Sequence, residues 1–454
     1  MRNAILWLVS LAAVLALAAS IWFGALDLFI GSENVDLARR RAVGALVAYW
    51  CLLFAVVQLV PLAFRHPGQA ALALVATAVT LGVVESAAHA FVPGAAVLSL
   101  DVGGFRSRQF HHIYPPNARR YMGRFEGTPV FLDTNEDGLR TRYSKEEFRK
   151  HDHRVIVLGD SFTFGLGVPA EATFAPLMEP HLRHATGGAS VAVLNAGIVS
   201  YSPFLEHLLL ERKLADYRPT LVVLMLDVTD IGDDYAYMRI AKRSGNSWEF
   251  PFDDAPPVPY RGALVELTRP YRRRLTSAFM YPLQLAGYQN TADAGEFDYY
   301  DFELPIGGVV EKDRYFVLRH PLDDTRQYFD STVQNIDSIA ASAARLGAGF
   351  VLAITPRYHH WNPSECPNNW ERREYALAEP YQFEYFRYFA GLRRDYPIVD
   401  LLPDFRSTTR YPLVFAEDPH WNAAGHAFVA DIVSKHLVGR QMLMTASDRA
   451  SRLN

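Results

Sequence analysis

Val155-Ile156-Val157-Leu158-Gly159-Asp160-Ser161-Phe162-Thr163-Phe164-Gly165-Leu166-Gly167-Val168 is the stretch that decides the fold of this 454-residue chain. Four apolar residues, three of them β-branched, read as a buried strand. The run passes straight into Gly-Asp-Ser and then into a glycine-punctuated turn, and a helix-like segment follows from about Thr173. A serine at the carboxyl end of a buried strand sits where open α/β sheets bind ligands. A helix N-terminus aimed at that serine would offer backbone N–H groups to an anion. The Gly-x-Ser-x-Gly elbow of α/β-hydrolases is excluded, because Thr163 stands where its second glycine belongs. The plainer alternative is a serine capping an ordinary helix, and the rest of the chain decides between the two.

Outward from this stretch, α/β alternation continues. Strands are expected at 154–158, 191–194, 221–226, 349–354 and 398–400. Helices are expected at 173–184, 204–215, 325–346, 371–392 and 422–437, with Pro203 well placed to open the second. Residues 221–226 are all apolar, the mark of a parallel sheet covered on both faces. Alternation breaks between about 232 and 320, a segment rich in Tyr, Phe, Asp and Pro that reads as an insertion. Residues 97–150 read as a connector with a turn at 134–140. Its Arg140 could reach an anionic group, although isolated arginines are mostly surface residues. Residues 151–440 then form the main domain, and 441–454 a loose tail.

Three further pieces fall where a site needs them. Asn195-Ala196-Gly197 follows the second strand, and a glycine there allows close backbone approach and a free N–H. Asp227-Val228-Thr229-Asp230 follows the third strand. Glu417-Asp418-Pro419-His420-Trp421-Asn422 lies near the end of the domain, where a histidine two residues after an aspartate suits a general base with an orienting carboxylate. A lone histidine would more often be a packing residue; a strand-end serine upstream changes that weighting.

Together, Gly159-Asp160-Ser161 with Phe164-Gly165, Asn195-Ala196-Gly197, and Asp418-Pro419-His420-Trp421-Asn422 with Gly425-His426 resemble the sequence blocks of the SGNH (GDSL) hydrolase family over about 139–437. The resemblance implies a three-layer α/β/α, flavodoxin-like domain with a parallel sheet. It implies Ser161 as nucleophile, His420 as base, Asp418 as orienting acid, and Gly197 and Thr229 in the oxyanion hole. Thr229 departs from the asparagine usual at that place. Asp160, Asn195, Glu417 and Asp230 stand in reserve, Glu417 because many members place the acid three residues before the histidine. The implied activity is that of an ester hydrolase, or of an O-acyltransferase if a hydroxyl replaces water. The substrate would be an acylated cell-envelope glycan or a lipid-like ester. A non-catalytic scaffold or glycan-binding module of the same fold is the alternative.

Composition sets the remaining bounds. A net charge of −4 leaves no basic footprint for nucleic acid. Two cysteines, Cys51 and Cys366, suggest no disulfide, no Cys/His spacing suggests zinc, and no metal or organic cofactor is expected. Apolar runs at 4–26, 42–64 and 70–92 have the length of transmembrane helices, so residues 1–96 are expected to form a three-helix membrane region. Arg39-Arg40-Arg41 would then lie outside, against the positive-inside rule, while the resemblance favours an extracytoplasmic domain.

Overall fold

The computed structural model describes residues 105–443 except 126–127, 246, 252–302, 368, 370–379 and 417, together with scattered positions among 10–19, 50 and 65–79. The chain divides into two compact units, Met1–Phe91 with Phe279–Gln289, and Val92–Ala278 with Asn290–Asn454. In the smaller unit residues 10–17 are helical, and the Trp50 indole donates to Ser10 Oγ at 3.1 Å. Among the described residues no helix is long and apolar enough to cross a membrane. The expected three transmembrane helices, and the integral-membrane placement built on them, are corrected on that finding. A span needs about 20 residues of unbroken apolar helix, which no described helix provides. Most of 4–26, 42–64 and 70–92, like the arginines at 272–274, lies outside the described residues.

The larger unit opens with two antiparallel hairpins, β1 (Phe105–Ser107) with β2 (His111–Ile113), and β3 (Arg119–Phe125) with β4 (Thr128–Asp133). A short helix α1 (Lys145–Arg149), closed by a Ser144/Glu147 capping box, leads into β5 (His153–Leu158). There follow α2 (Ser161–Phe164), α3 (Phe174–Ala185), β6 (Val191–Asn195), α4 (Pro203–Arg212), β7 (Leu221–Leu226) and α5 (Asp230–Ile240). Small hairpins β8 (Lys242–Ser244) with β9 (Ser247–Glu249) and β10 (Leu304–Ile306) with β11 (Val309–Glu311) flank residues 252–302. The chain closes with α6 (Leu322–Arg345), β12 (Gly349–Ile354), α7 (Glu384–Gly391), β13 (Ile398–Asp400), α8 (Leu402–Ser407) and α9 (Ala423–Gly439).

β13-β12-β7-β5-β6 form one five-stranded sheet, every pair parallel. In chain order this is 2-1-3-4-5, the flavodoxin-like arrangement. Right-handed crossovers then dictate the layers. The β5-to-β6 connection runs opposite to the others, so α3 lies on one face, where α9 packs against it. The remaining crossovers carry α4, α6 and α7 on the other face, with α6 against α4, α5 and α7. Both faces are thus covered, and β6 and β7 are buried along their whole length. Strand directions place the carboxyl ends of β5, β6, β7 and β12 on one edge of the sheet. The expected insertion at 232–320 begins inside α5, which packs on α6.

Ile339 lies in the middle of α6 and is fully buried. Ile339→Ala is expected to cost about 2–5 kcal/mol, read as a lower urea midpoint with unchanged slope. A loss below about 1 kcal/mol would mean that α6 does not close that face of the sheet.

Candidate active site

Gly159 turns the chain at the end of β5, and a Cβ there would lie 2.1 Å from Thr163 Oγ1. Asp160 then caps α2, its Oδ1 accepting from Phe162 N at 2.8 Å. Ser161 is the first residue of that helix, partly exposed. A helix of one turn gains too few internal bonds to hold itself. Gly165, at φ 81°, closes it by donating to Ser161 O at 3.0 Å, and side chains from outside satisfy its later carbonyls. Asn195 Nδ2 donates to Thr163 O at 2.8 Å, and Arg140 Nη1 to Phe164 O at 2.8 Å. Gly197 lets the end of β6 lie against this helix, since a Cβ there would fall 2.3 Å from Phe164 N.

His420 and Asp418 come from a loop that closes on itself. Val414 bridges Trp421, Phe415 N donates to His420 O at 3.2 Å, and Asn422 N to Leu413 O at 3.0 Å. Asn422 Nδ2 donates to Pro412 O and Val414 O, while its Oδ1 caps α9 at Gly425 N. Within the loop Asp418 Oδ1 accepts from His420 N at 2.9 Å and meets His420 Nδ1 at 2.5 Å. On the far side of the ring, Nε2 lies 2.7 Å from Ser161 Oγ. With Nδ1–H donated to the carboxylate, Nε2 is left as the acceptor for the serine hydroxyl. Asp418 and His420 are buried, and the ring is held between Phe162, centroid at 4.7 Å, and its own loop. Trp421, fully buried, stands edge-on to Phe162 at 5.1 Å. Glu417 lies outside the described residues.

The other sequence candidates have different partners. Gly197 N donates to Asn195 Oδ1 at 2.9 Å. Thr229 Oγ1 donates to Asp227 Oδ2 at 2.6 Å and accepts from Arg357 Nη2 at 3.2 Å. Asp230 Oδ2 accepts from Asp227 N at 2.9 Å. Two groups went unrecognised in the sequence as parts of this framework. Arg357, just past β12, grips Asp227 through Nε at 3.0 and 3.1 Å and Nη2 at 2.8 Å. Ser200, beyond β6, holds a left-handed φ of 63° with its carbonyl accepting from Tyr237 Oη at 2.5 Å. Only the position of Arg357 after a strand hinted at its place; nothing in the sequence signalled the backbone of Ser200.

Asp160, Asp227 and Asp230 bring carboxylate oxygens within 4.8 Å of one another, the one group among the described residues with spacing suited to a metal ion. Burial would raise Asp227, but the charge and hydrogen bonds of Arg357 outweigh it and bring the carboxyl down to about 2. Burial, then the charge of Asp227, pushes Asp160 up to about 6, and burial with the neighbouring acids pushes Asp230 well above the usual range. Arg357 therefore already compensates the one carboxylate held firmly ionised, and Asp230 is held towards the neutral acid, which makes a poor donor set for a hard cation. Nearby Glu206 is fully buried with neither carboxylate oxygen hydrogen-bonded, and burial raises it too.

Because Asp160 is raised in the folded state, its stabilising contribution is complete below about pH 4 and is lost as pH rises through about 6. Asp160→Asn keeps an Oδ1 acceptor for the helix cap and removes that titration. The variant is expected to gain on the order of 2 kcal/mol over the parent at pH 8 and nothing at pH 4, in urea midpoints taken across that range. Identical pH slopes for both proteins would show that another group titrates.

No family model and no curated protein matches the chain. Several solved structures resemble it. TesA is 16% identical, with 62% of this chain and 97% of that one covered and a TM-score of 0.32. The acetyl xylan esterase AlAXEase is 16% identical, covering 62% and 98%, with a TM-score of 0.30. A GDSL-like lipase from Bacteroides thetaiotaomicron is 13% identical, covering 66% and 92%, with a TM-score of 0.30. At these scores the likeness decides nothing about the chemistry of this chain.

Proposed function

We propose that this chain is a serine esterase that works through an acyl-enzyme. The observation that carries the reading is the unbroken chain Ser161 Oγ, His420 Nε2, His420 Nδ1, Asp418 Oδ1, with separations of 2.7 and 2.5 Å. The serine is partly exposed at the carboxyl edge of a parallel sheet, while base and acid are buried.

His420 Nε2 takes the Ser161 proton as Oγ attacks the ester carbonyl. Asp418 holds the imidazole in the tautomer this requires and stabilises the imidazolium that forms. The imidazolium then gives its proton to the departing alkoxide, leaving acyl-Ser161 and an alcohol. Water, deprotonated by the same Nε2, releases the acid and restores the serine; a sugar hydroxyl in its place completes O-acyl transfer. The first oxyanion donor is the N–H of Ser161, at the opening turn of α2. Gly197 N–H and the Thr229 hydroxyl join it only by exchanging Asn195 and Asp227 for the oxyanion. Each oxyanion donor lost raises the barrier by about 2.7–4 kcal/mol. Those two engaged donors are what favour the second reading, a glycan-binding module with the same fold and no turnover. The substrate class we put first is an O-acylated glycan, on the resemblance of the sequence blocks to polysaccharide-modifying members of the SGNH family.

A fluorophosphonate probe is expected to label the parent protein and neither Ser161→Ala nor His420→Ala. Asp418→Asn is expected to lower p-nitrophenyl acetate turnover roughly 10⁴-fold. Absence of labelling in folded parent protein, together with binding of acetylated oligosaccharide, would replace the esterase by the binding module.

A further inference from the structure

Arg140 is almost completely buried and, among the described residues, makes no ion pair and leaves its Nε without a partner. Its hydrogen bonds all go to backbone carbonyls. Nη1 donates to Phe164 O at 2.8 Å and Gly165 O at 2.9 Å, and Nη2 to Val168 O at 2.7 Å and Phe131 O at 3.3 Å. Its guanidinium lies 4.6 Å from the centroid of the Phe164 ring. Burial brings the group down to about 10, so it is still charged at neutral pH. A buried cation without a paired carboxylate is costly; the four carbonyl dipoles and the Phe164 ring compensate it at contact, with the charges of Glu171 and Asp133 acting from farther away.

Three of the four carbonyls belong to the turn that follows Ser161. α2 has four residues, and its carboxyl end carries the negative pole of the helix dipole, where a cation is favourable. The planar fork of an arginine reaches carbonyls in several directions at once; the compact ammonium of a lysine does not. The fourth carbonyl, of Phe131 in β4, ties the turn to the β3–β4 hairpin.

We propose that Arg140 is a positioning residue, which sets the angle of α2 and thereby holds Ser161 Oγ within reach of His420 Nε2. The proposal rests on the reading of Ser161 as the nucleophile. Its loss leaves the carbonyls of Phe164 and Val168 to find other donors and Gly165 O with only Val168 N at 3.3 Å, and α2 shifts as they do. A displacement of about 1 Å at a reacting atom is enough for a rate loss on the order of 10²-fold.

The test compares parent, Arg140→Lys, Arg140→Ala and Ile339→Ala, each as the full chain, at a temperature well below the unfolding of all four. Rates of fluorophosphonate labelling and kcat and KM for p-nitrophenyl acetate are measured beside urea midpoints. Expected are a drop of roughly tenfold or more in labelling and kcat for both Arg140 variants with KM little changed, and a parent-like rate for Ile339→Ala despite its lower stability. Partial recovery of Arg140→Ala on adding guanidinium or methylguanidinium at sub-denaturing concentration is expected as well. Parent-like labelling in both Arg140 variants overturns the proposal. So does an equal slowing in Ile339→Ala, which would make the effect one of general stability. A parent protein that does not label at all fails the esterase reading instead, a result separable from either.

Discussion

One contact, Ser161 Oγ to His420 Nε2 at 2.7 Å, joins side chains 259 positions apart, and most of what surrounds it keeps that distance. The serine arrives on a one-turn helix at the end of β5, and the histidine on a loop leading into α9. The two elements share a face of the molecule because α3 and α9 pack together on the same side of the sheet. The sheet order therefore decides this contact: any other placement of the last helix would carry His420 away from Ser161.

Much of this was legible in the sequence, because its signals are local. The all-apolar run 221–226 could only be a strand covered on both faces, and it is the buried centre of the sheet. The step from apolar run to Gly-Asp-Ser marked a strand end, and the two-residue spacing of Asp418 and His420 brings carboxylate and imidazole together without help from the fold. Partners that depend on three-dimensional neighbours were not legible. Arg140 was read as able to reach an anion or, more commonly for an isolated arginine, as a surface residue, and instead binds carbonyls of a turn about 25 residues away. Thr229, placed in the oxyanion hole by the resemblance, accepts instead from Arg357, 128 residues further along the chain. The transmembrane expectation rested on hydropathy alone, and among the described residues no helix is long and apolar enough to cross a membrane.

Beneath Ser161, among the described residues, six buried carboxyl groups meet two arginines. Asp160, Glu206, Asp227, Asp230, Asp233 and Asp234 are all buried, with Arg357 on Asp227 and Arg314 on Asp233 as ion-pair partners. Burial pushes five of the six upward, Glu206 and Asp230 well above the usual range, Asp233 to about 7 and Asp160 and Asp234 to about 6, so the group carries less than its full charge at neutral pH. A low dielectric strengthens every interaction that remains, including the grip of Arg357 on the loop after β7. The framework under the serine is thus tied by two buried ion pairs, Arg357 with Asp227 and Arg314 with Asp233.

The loop that carries Asp418 and His420 has a consequence for how the contact with Ser161 is lost. Asp418 and His420 are two residues apart, and bonds within ten residues close the loop on itself, while Leu413 N donates to Glu365 and Cys366 Sγ to Ala416 O, which tie it to a distant part of the chain. The local concentration of carboxylate at the imidazole is therefore set first by the short stretch of chain between the two. The serine enjoys no such tether and meets the imidazole only while the whole sheet and both of its covering layers are in place. Partial opening would separate Ser161 from a His420–Asp418 pair that the chain itself keeps close, so this one contact reports on the packing of the sheet and its two covering layers.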